Sequence, residues 1–329
     1  MLLLRRKFPL VLAALGSMQT AYAAAEWRPA GRVEYVIPAA AGGAVDIYGR
    51  VMKKILDANG AMAGQSFIIS NKPGGQGMIA VAPLLQRPGD ATIFSMMSTG
   101  FMLGQTLGDF KHDLLQDFTI GPIFFEEAIA VGVRADSPFK TVADLLAQLR
   151  RDPASVKIAI APTLYNHIHI GILKPLSKAG VDVSRLTVAP FRASSESVAA
   201  LMGGHVDVVS ASSANLVAGI KNGTLRALAV SSASRLKGAL SHVPTWKEQG
   251  VDSVFTSVQG TLFPKNLSPE QIRFWDEQFR RLSGSREWLE TLEQYEVTPR
   301  FMDHAQATAF VREELKAAPA LLRELGLNK

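Results

Sequence analysis

The 329-residue chain contains no cysteine. This absence excludes disulfide bonds, thiolate metal sites and cysteine nucleophiles, as well as the lipid anchor that an exported protein carries on a cysteine at its cleavage site. Cross-links are not needed for stability here, because 47% of the residues are hydrophobic and a chain of about 300 residues buries a large core. A chain of this length favours two domains.

The chain also lacks a long run of basic residues. Its formal charge is +6, and the pairs Lys53-Lys54, Arg150-Arg151 and Arg280-Arg281 stand apart from one another, near predicted helices. Nucleic-acid binding would need a stripe of positive charge with aromatic residues between the basic ones, so it is not expected. A mildly positive surface still favours encounters with anionic solutes.

Motifs of catalysis are missing as well. The sequence has no Gly-x-Ser-x-Gly elbow, no His-Glu-x-x-His and no phosphate loop that ends in Gly-Lys-Ser/Thr. His167 and His169 are two residues apart in a helical pattern, where side chains at that spacing diverge, and no third ligand follows at a useful distance. We therefore expect no enzymatic activity, no cofactor and no metal site.

The first 25 residues have the pattern of a signal peptide. Arg5-Arg6-Lys7 form a basic head, an apolar stretch from Phe8 to Met18 follows, and small residues allow cleavage near Ala23 or Ala25. The apolar stretch is too short to cross a membrane comfortably. We expect an exported, periplasmic protein whose formal charge falls to +3 after cleavage. The general secretory route and the twin-arginine route both remain open.

Apolar strand patterns alternate with helical patterns along the rest of the chain, which predicts an α/β protein. The predicted strands are Val33–Ile37, Phe67–Ser70, Thr92–Met96, Ala128–Val133, Lys157–Ala161, Leu186–Ala189, Val206–Ser210, Leu225–Val230 and Ser257–Leu262. The predicted helices are Val45–Asn59, Ile79–Leu85, Val142–Arg150, Ile168–Ala179, Ser195–Met202, Leu216–Asn222, Pro269–Leu282, Arg286–Tyr295 and His304–Ala317. Continuous apolar strands indicate a mostly parallel sheet that is buried on both faces.

The order of these elements predicts two lobes. Residues 135–253 form a self-contained block of strands and helices, whereas the three helices after Pro264 have no predicted strand of their own. We therefore assign residues 26–134 and 254–329 to a discontinuous first lobe and residues 135–253 to a second. Since ligands of open α/β sheets bind beyond the carboxyl ends of the strands, the expected site is the cleft between the lobes.

Two glycine-rich loops follow the first two predicted strands. The first loop contains Gly42 and Gly43 directly before a helix, with Asp46 in its first turn, and the second contains Gly74, Gly75 and Gly77. A loop almost free of side chains lets a ligand approach the backbone N–H groups at the positive end of a helix dipole. Such a site binds anions.

Several segments resemble the Bug-type receptors, the solute-binding subunits of tripartite tricarboxylate transporters. These segments are Gly42-Gly43-x-x-Asp46-Ile47-x-x-Arg50, the loop from Asn71 to Gly77, Asp117-Phe118, Gly204-His205-Val206-Asp207, Ile220 to Ser231, and Val243-Pro244-Thr245 followed by Glu248-x-Gly250. They occur in the family's order over about residues 32–326. The resemblance implies a two-lobed periplasmic-binding-protein fold of type II, a Venus flytrap of two doubly wound α/β domains.

The resemblance also implies a function. Such a receptor, expected to be a monomer, closes on a small organic carboxylate and delivers it to the transporter's membrane subunits. Two alternatives remain open: a solute sensor that signals to a membrane kinase, and an exported hydrolase. The family binds one carboxylate with backbone N–H groups of the first-lobe loops, and the second lobe completes the cage. Carried onto this chain, the ligand-binding residues are Ala40, Ala41, Gly42, Gly43, Asp46, Gly75, Gln76, Ser98, Thr99, Thr163, Tyr165, Asn166, His167, Arg192 and Ser212.

Some of these residues have a second interpretation. For Asp46 we favour a role in orienting the first loop over direct contact with an anionic ligand. Arg192 is a candidate for a second-lobe cation, because a guanidinium suits carboxylates, and is equally well a surface residue. The chain also departs from the family pattern. Ala211 stands where many relatives have an aspartate, so a ligand with an amino group is not expected.

Overall fold

The computed structural model describes residues 27–62 and 64–327. The predicted signal peptide lies outside these residues. The strands are β1 (Val33–Ile37), β2 (Phe67–Asn71), β3 (Ile93–Ser98), β4 (Phe118–Arg134), β5 (Lys157–Ile160), β6 (Thr187–Pro190), β7 (Val208–Ser212), β8 (Leu225–Val230), β9 (Thr256–Pro264) and β10 (Thr298–Met302). The α-helices are α1 (Ala44–Ala58), α2 (Met78–Leu85), α3 (Thr99–Leu107), α4 (Val142–Arg151), α5 (His167–Lys178), α6 (Ser194–Met202), α7 (Val217–Lys221), α8 (Pro269–Ser283), α9 (Arg286–Gln294) and α10 (His304–Glu324).

The strands form two sheets that share β4. The first sheet has the order β2-β1-β3-β9-β4-β10, and the second has the order β6-β5-β7-β4-β8. Residues Phe118 to Ala128 of β4 pair with β9, and Ile129 to Arg134 pair with β7 and β8. We call the first sheet with α1–α3 and α8–α10 the first half, and the second sheet with α4–α7 the second half.

Both sheets are mixed, whereas the sequence predicts a mostly parallel arrangement. β1, β2 and β3 are parallel to one another, and so are β5, β6 and β7. β9 runs antiparallel to both β3 and β4, and β4 runs antiparallel to β7 and β8. These antiparallel pairs all involve β4 or β9. The chain passes from the first half to the second through β4, and it comes back to the first half through β9.

Alternate residues of the strands face two different cores, as the twofold period of a strand requires. In β1, Val33, Tyr35 and Ile37 pack with α1, α8 and α9, while Val36 packs with α2 and α3. β4 continues this pattern in the second half. Its residues Ile129, Val131 and Val133 pack with α4 and α5. The sheets are therefore covered on both faces.

All nine predicted strands and all nine predicted helices are present, with ends that differ by a few residues. The prediction from sequence lacks α3, the first ten residues of β4, and β10. It also ends the last helix too early, because α10 continues through Pro319 to Glu324. The statement that no strand follows Pro264 is wrong, since β10 pairs with β4 from Thr298 opposite Glu126.

None of the helices among the described residues combines the length and hydrophobicity needed to cross a membrane.

Candidate functional site

The loops that follow β1, β2 and β3 lie at one edge of the first sheet, because these three strands are adjacent and parallel. The first two loops are joined by hydrogen bonds. The side chain of Asn71 donates to the carbonyl oxygen of Ala39 over 3.1 Å, and Lys72 N–H donates to Ile37 over 2.8 Å. This edge, at the carboxyl ends of the strands, is where open α/β sheets bind ligands.

The buried side chain of Asp46 orders the first loop through hydrogen bonds. Its buried carboxylate accepts hydrogen bonds from Gly42 N–H at 3.0 Å and from Arg50 Nε at 2.8 Å. Burial by itself would raise the pKa of Asp46, but the hydrogen bonds from Arg50, Gly42 N–H and Asn71 outweigh burial and lower the pKa. Asp46 is therefore an ionised anchor of the loop, and its position within the structure agrees with an orienting role.

Gly43 is the N-cap of α1, and no side chain caps the helix there. The first turn of a helix leaves N–H groups that cannot bond within the helix. Ala40, Ala41 and Gly42 before it are exposed. The combination of an uncapped helix end and an exposed loop of small residues leaves the positive end of α1 open to an anion.

The second loop needs its glycines. Gly74, Gly75 and Gly77 have φ values of 110°, 56° and 92°, and Gln76 between them has a φ of 53°. A Cβ atom on Gly77 would lie 2.6 Å from the Phe101 ring, so only glycine fits there. This close approach to α3 fixes the loop and places Gln76 at the wall of a cavity.

The cavity has a volume of about 600 Å³ and lies between the two halves. It is lined by Gln76, Leu107, Asp109, Pro162, Thr163, Leu164, Tyr165, Pro190, Phe191, Arg192 and Leu327. Four of the predicted ligand-binding residues meet in this wall: Gln76, Thr163, Tyr165 and Arg192. The side chain of Arg192 is 94% exposed, and its Nε atom lies 3.9 Å from Glu196.

Tyr165 has a backbone conformation that is rare for a residue with a side chain, with a φ of +62°. Its N–H group donates to His169 Nδ1 over 3.0 Å, and its ring stacks on the His169 ring at a centroid distance of 5.4 Å. Such a conformation costs about 1–3 kcal/mol and persists only where the surroundings enforce it. The buried His169 therefore fixes the position of Tyr165 in the cavity wall.

Asn166 has a structural task in the same loop. As the N-cap of α5 it accepts from His169 N–H at 3.0 Å, and its amide group donates to the Ala161 carbonyl oxygen over 2.8 Å. Both ends of its side chain are therefore engaged. Asn166 shapes the loop that carries Thr163 and Tyr165.

Sequence reasoning missed a buried carboxylate, Glu127, where β4 passes between the halves. Glu127 accepts from Ser212 Oγ at 2.5 Å and from Gln259 Nε2 at 3.0 Å, and its Oε1 atom lies 3.6 Å from His167 Nε2. His167 also packs on α3, since a Cβ atom on Gly100 would lie 2.8 Å from its Nδ1 atom. The signal in the sequence is a pair of acidic residues, Glu126 and Glu127, inside the apolar stretch from Phe124 to Ala130.

The predicted site residues thus lie in three places. Gln76, with Gly75 beside it, Thr163, Tyr165 and Arg192 are at the cavity, and His167 and Ser212 join Glu127. The first loop, Ala40 to Asp46, forms the third group, outside the cavity wall. The remaining three are structural: Asn166 caps α5, Ser98 caps α3 by accepting from Gly100 N–H, and Thr99 Oγ1 accepts from Val258 N–H at 3.0 Å.

Within the part of the chain that the structure describes, no group of three or more His, Asp or Glu side chains is arranged to hold a metal ion.

His169 makes the stability of the fold depend on pH. Burial lowers its pKa from 6.5 to about 4. The unfolded state therefore binds more protons between these two values, so the contribution to stability is complete above pH 6.5 and is lost as the pH falls towards 4. We expect the free energy of unfolding to fall by about 2 kcal/mol between pH 7 and pH 5 through this group alone.

Urea unfolding at both pH values measures this loss. His169→Gln should show a pH dependence that is shallower by this amount, and His242→Gln, at an exposed position, should retain the full dependence of the original protein. Equal pH dependence in the protein and in His169→Gln would contradict the assignment.

Proteins with similar sequences identify the family of this chain. The family model described as "Tripartite tricarboxylate transporter family receptor" matches residues 51–327. The UPF0065 protein in gbd 5'region of Cupriavidus necator is 29% identical over 320 residues, which is 96% of this chain and 94% of that protein. Protein BugT of Bordetella pertussis is 23% identical over 309 residues, 92% of this chain and 91% of that one.

Solved structures share the fold. The periplasmic binding protein BugD has a TM-score of 0.82 at 19% identity, over 92% of this chain and 99% of that one. The R. palustris protein Rpa4515, solved with adipate, has a TM-score of 0.82 at 24% identity, over 91% of this chain and 98% of that one. The predicted periplasmic-binding-protein fold is thereby confirmed. The family model covers most of the chain, and the chain therefore belongs to the receptors of the tripartite tricarboxylate transporter family, which are solute-binding proteins and not enzymes.

Proposed function

We propose that this protein is a periplasmic receptor that captures a small organic carboxylate between its two halves and delivers it to the membrane subunits of a tripartite tricarboxylate-type transporter. The observation that carries the proposal is the cavity of about 600 Å³, whose wall combines Gln76 of the first half with Thr163, Tyr165 and Arg192 of the second. A ligand in this cavity contacts both halves. It therefore stabilises the closed arrangement over an open one.

The proposed lobes are residues 26–134 with 254–329, and residues 135–253. The first lobe supplies backbone N–H groups at the uncapped start of α1 and the glycine loop around Gln76. The second lobe supplies Arg192 at the cavity. Two related structures support a carboxylate as the ligand: Rpa4515 was solved with adipate, and MatC from Rhodopseudomonas palustris, with a TM-score of 0.79 at 18% identity, with bound malate.

Thermal unfolding of the purified protein tests the proposal. We expect at least one of malate, adipate, benzoate and 3-phenylpropionate to raise the melting temperature, because a ligand at 100 times its Kd stabilises the folded state by about 2.7 kcal/mol. For a protein of this size that corresponds to roughly 5 °C. The matched carboxamides, which carry no charge, should have no effect.

The proposal would be contradicted if no carboxylate in a broader panel shifted the melting temperature. It would also be contradicted if amides and acids acted alike, since the proposed site recognises negative charge. Co-purification with the transporter's membrane subunits, in the presence of the ligand found in this way, tests the delivery step.

A further inference from the structure

The cavity between the halves is walled mainly by apolar side chains. Leu107 at the end of α3, Leu164 in the loop before α5, Phe191 after β6 and Leu327 after α10 face it from four separate segments. Pro162 and Pro190 add further apolar surface. A small diacid would leave most of this wall without a partner, because such ligands are polar at both ends.

Charge is scarce in the same wall. Among the described residues that line the cavity, Arg192 is the one with a cationic side chain, and Asp109 is the one with an anionic side chain. Within this wall, a single carboxylate on the ligand is therefore matched by Arg192, whereas a second carboxylate would face mainly apolar side chains. Burying an ionised group without a partner is costly, so the wall disfavours a second anionic group.

Two side chains at the rim of the cavity, Tyr165 and Leu164, suit an apolar ligand. The Tyr165 ring is held in place by stacking on the buried His169, so it offers a rigid aromatic surface. Leu164 beside it is 38% exposed, and few other large hydrophobic side chains among the described residues are as exposed. An aromatic ring or an alkyl chain in the cavity would cover Leu164 and pack against Tyr165.

We propose that the ligand of this cavity is a monocarboxylate with an apolar body, either an aromatic ring or an alkyl chain of about six or more carbons. The inference rests on the proposed receptor function and specifies its class of substrate. The carboxylate lies between Arg192 and the N–H groups at the start of α1, and the apolar body lies against Leu107, Phe191 and Leu327.

The test is isothermal titration of the purified protein with probes that share a carboxylate and differ in the remainder. The apolar probes are 3-phenylpropionate and octanoate, and the small or doubly charged probes are propionate, malate and adipate. Full burial of an apolar group of this size is expected to give the apolar probes a roughly 10- to 100-fold lower Kd than propionate and adipate.

A pair of variants locates the effect. Leu164→Asn should weaken binding of 3-phenylpropionate about 3- to 10-fold and leave binding of propionate unchanged, because propionate does not reach the rim. Leu289→Asn is the matched control. Leu289 on α9 is 40% exposed and lies outside the cavity wall, so its replacement should change neither affinity.

The outcomes separate this inference from the receptor function. Preference for 3-phenylpropionate or octanoate together with the Leu164→Asn effect supports the inference. Tighter binding of malate or adipate overturns the inference and leaves the receptor function standing. Equal losses of affinity for 3-phenylpropionate in Leu164→Asn and Leu289→Asn overturn the placement of the apolar body. If no carboxylate binds, the receptor function and the inference fail together.

Discussion

The variant Gly43→Phe should lose at least 100-fold in affinity for the carboxylate ligand and remain folded. A phenyl ring at the N-cap of α1 would cover the N–H groups of the first helical turn. Hydrogen bonds to a charged group contribute about 1.5–3 kcal/mol each, so the loss of two of them accounts for an effect of this size. Titration with the ligand identified by thermal unfolding measures the change.

Folding should survive because the site has room. A Cβ atom on Gly43 would meet only the Ala40 carbonyl oxygen, at 3.8 Å, and the N-cap φ of −81° suits any residue. Gly31→Phe is the matched control, since a Cβ atom there meets nothing within 4 Å and the residue lies before β1, at the opposite end from the loop. Unaltered affinity in Gly43→Phe would remove the first loop from the binding site.

The variant Glu127→Ala should lower the free energy of unfolding by about 3 kcal/mol. The carboxylate is 4% exposed and accepts from Ser212 and Gln259. Its removal leaves these two donors buried without their acceptor and takes away the group next to His167. Glu127→Gln keeps the shape and one acceptor oxygen, so we expect it to lose less. Urea unfolding at pH 7 gives both values.

The preceding residue provides the control. Glu126 carries the same side chain one position earlier on β4, and it forms a partly exposed ion pair with Arg300, at 2.6 Å. Exposed pairs of this kind contribute less than about 1 kcal/mol, so Glu126→Ala should be nearly neutral. Equal losses in the free energy of unfolding of the two alanine variants would show that the buried hydrogen bonds of Glu127 do not matter for stability.

Most of the fold could be predicted from the sequence, because the spacing of hydrophobic residues and the residues that can cap helices agree with the tertiary structure. Asp303 and Ser268, which directly precede the predicted helices at His304 and Pro269, cap α10 and α8. The start of β4 was hidden because Gly121-Pro122 has the pattern of a turn. In the structure a register shift occurs between Ile120 and Ile123, and a Cβ atom on Gly121 would lie 2.3 Å from Thr261, so that pair marks a bulge within a strand.

α3 and β10 were missed for a related reason. Gly100 and Gly104 lower the helix propensity of α3. His167 of α5 approaches closely at Gly100, and Phe110, just after the helix, approaches at Gly104. Pro299 argues against a strand, yet β10 lies at the edge of its sheet, where proline is tolerated. In each case a contact distant in sequence outweighed the local preference.

The candidate site was predictable only in part. The resemblance to a family located the loops, and the structure places Gln76, Thr163, Tyr165 and Arg192 around one cavity. The role of Glu127 could not be predicted, since its partners Ser212 and Gln259 are 85 and 132 residues away in sequence. The apolar character of the cavity wall could not be predicted from composition, because its residues come from five separate segments of the chain.

The shared strand β4 bears on the proposed separation of the halves. Its 17 residues stay extended from one sheet into the other, and the side chain of Ser231 bonds both Ile129 of β4 and the carbonyl oxygen of Phe255 just before β9. Separation of the halves must therefore bend paired strands and does not simply swing a slack linker. In the proposed capture of a solute, the hinge is therefore hydrogen-bonded strand, whose stiffness opposes separation of the halves.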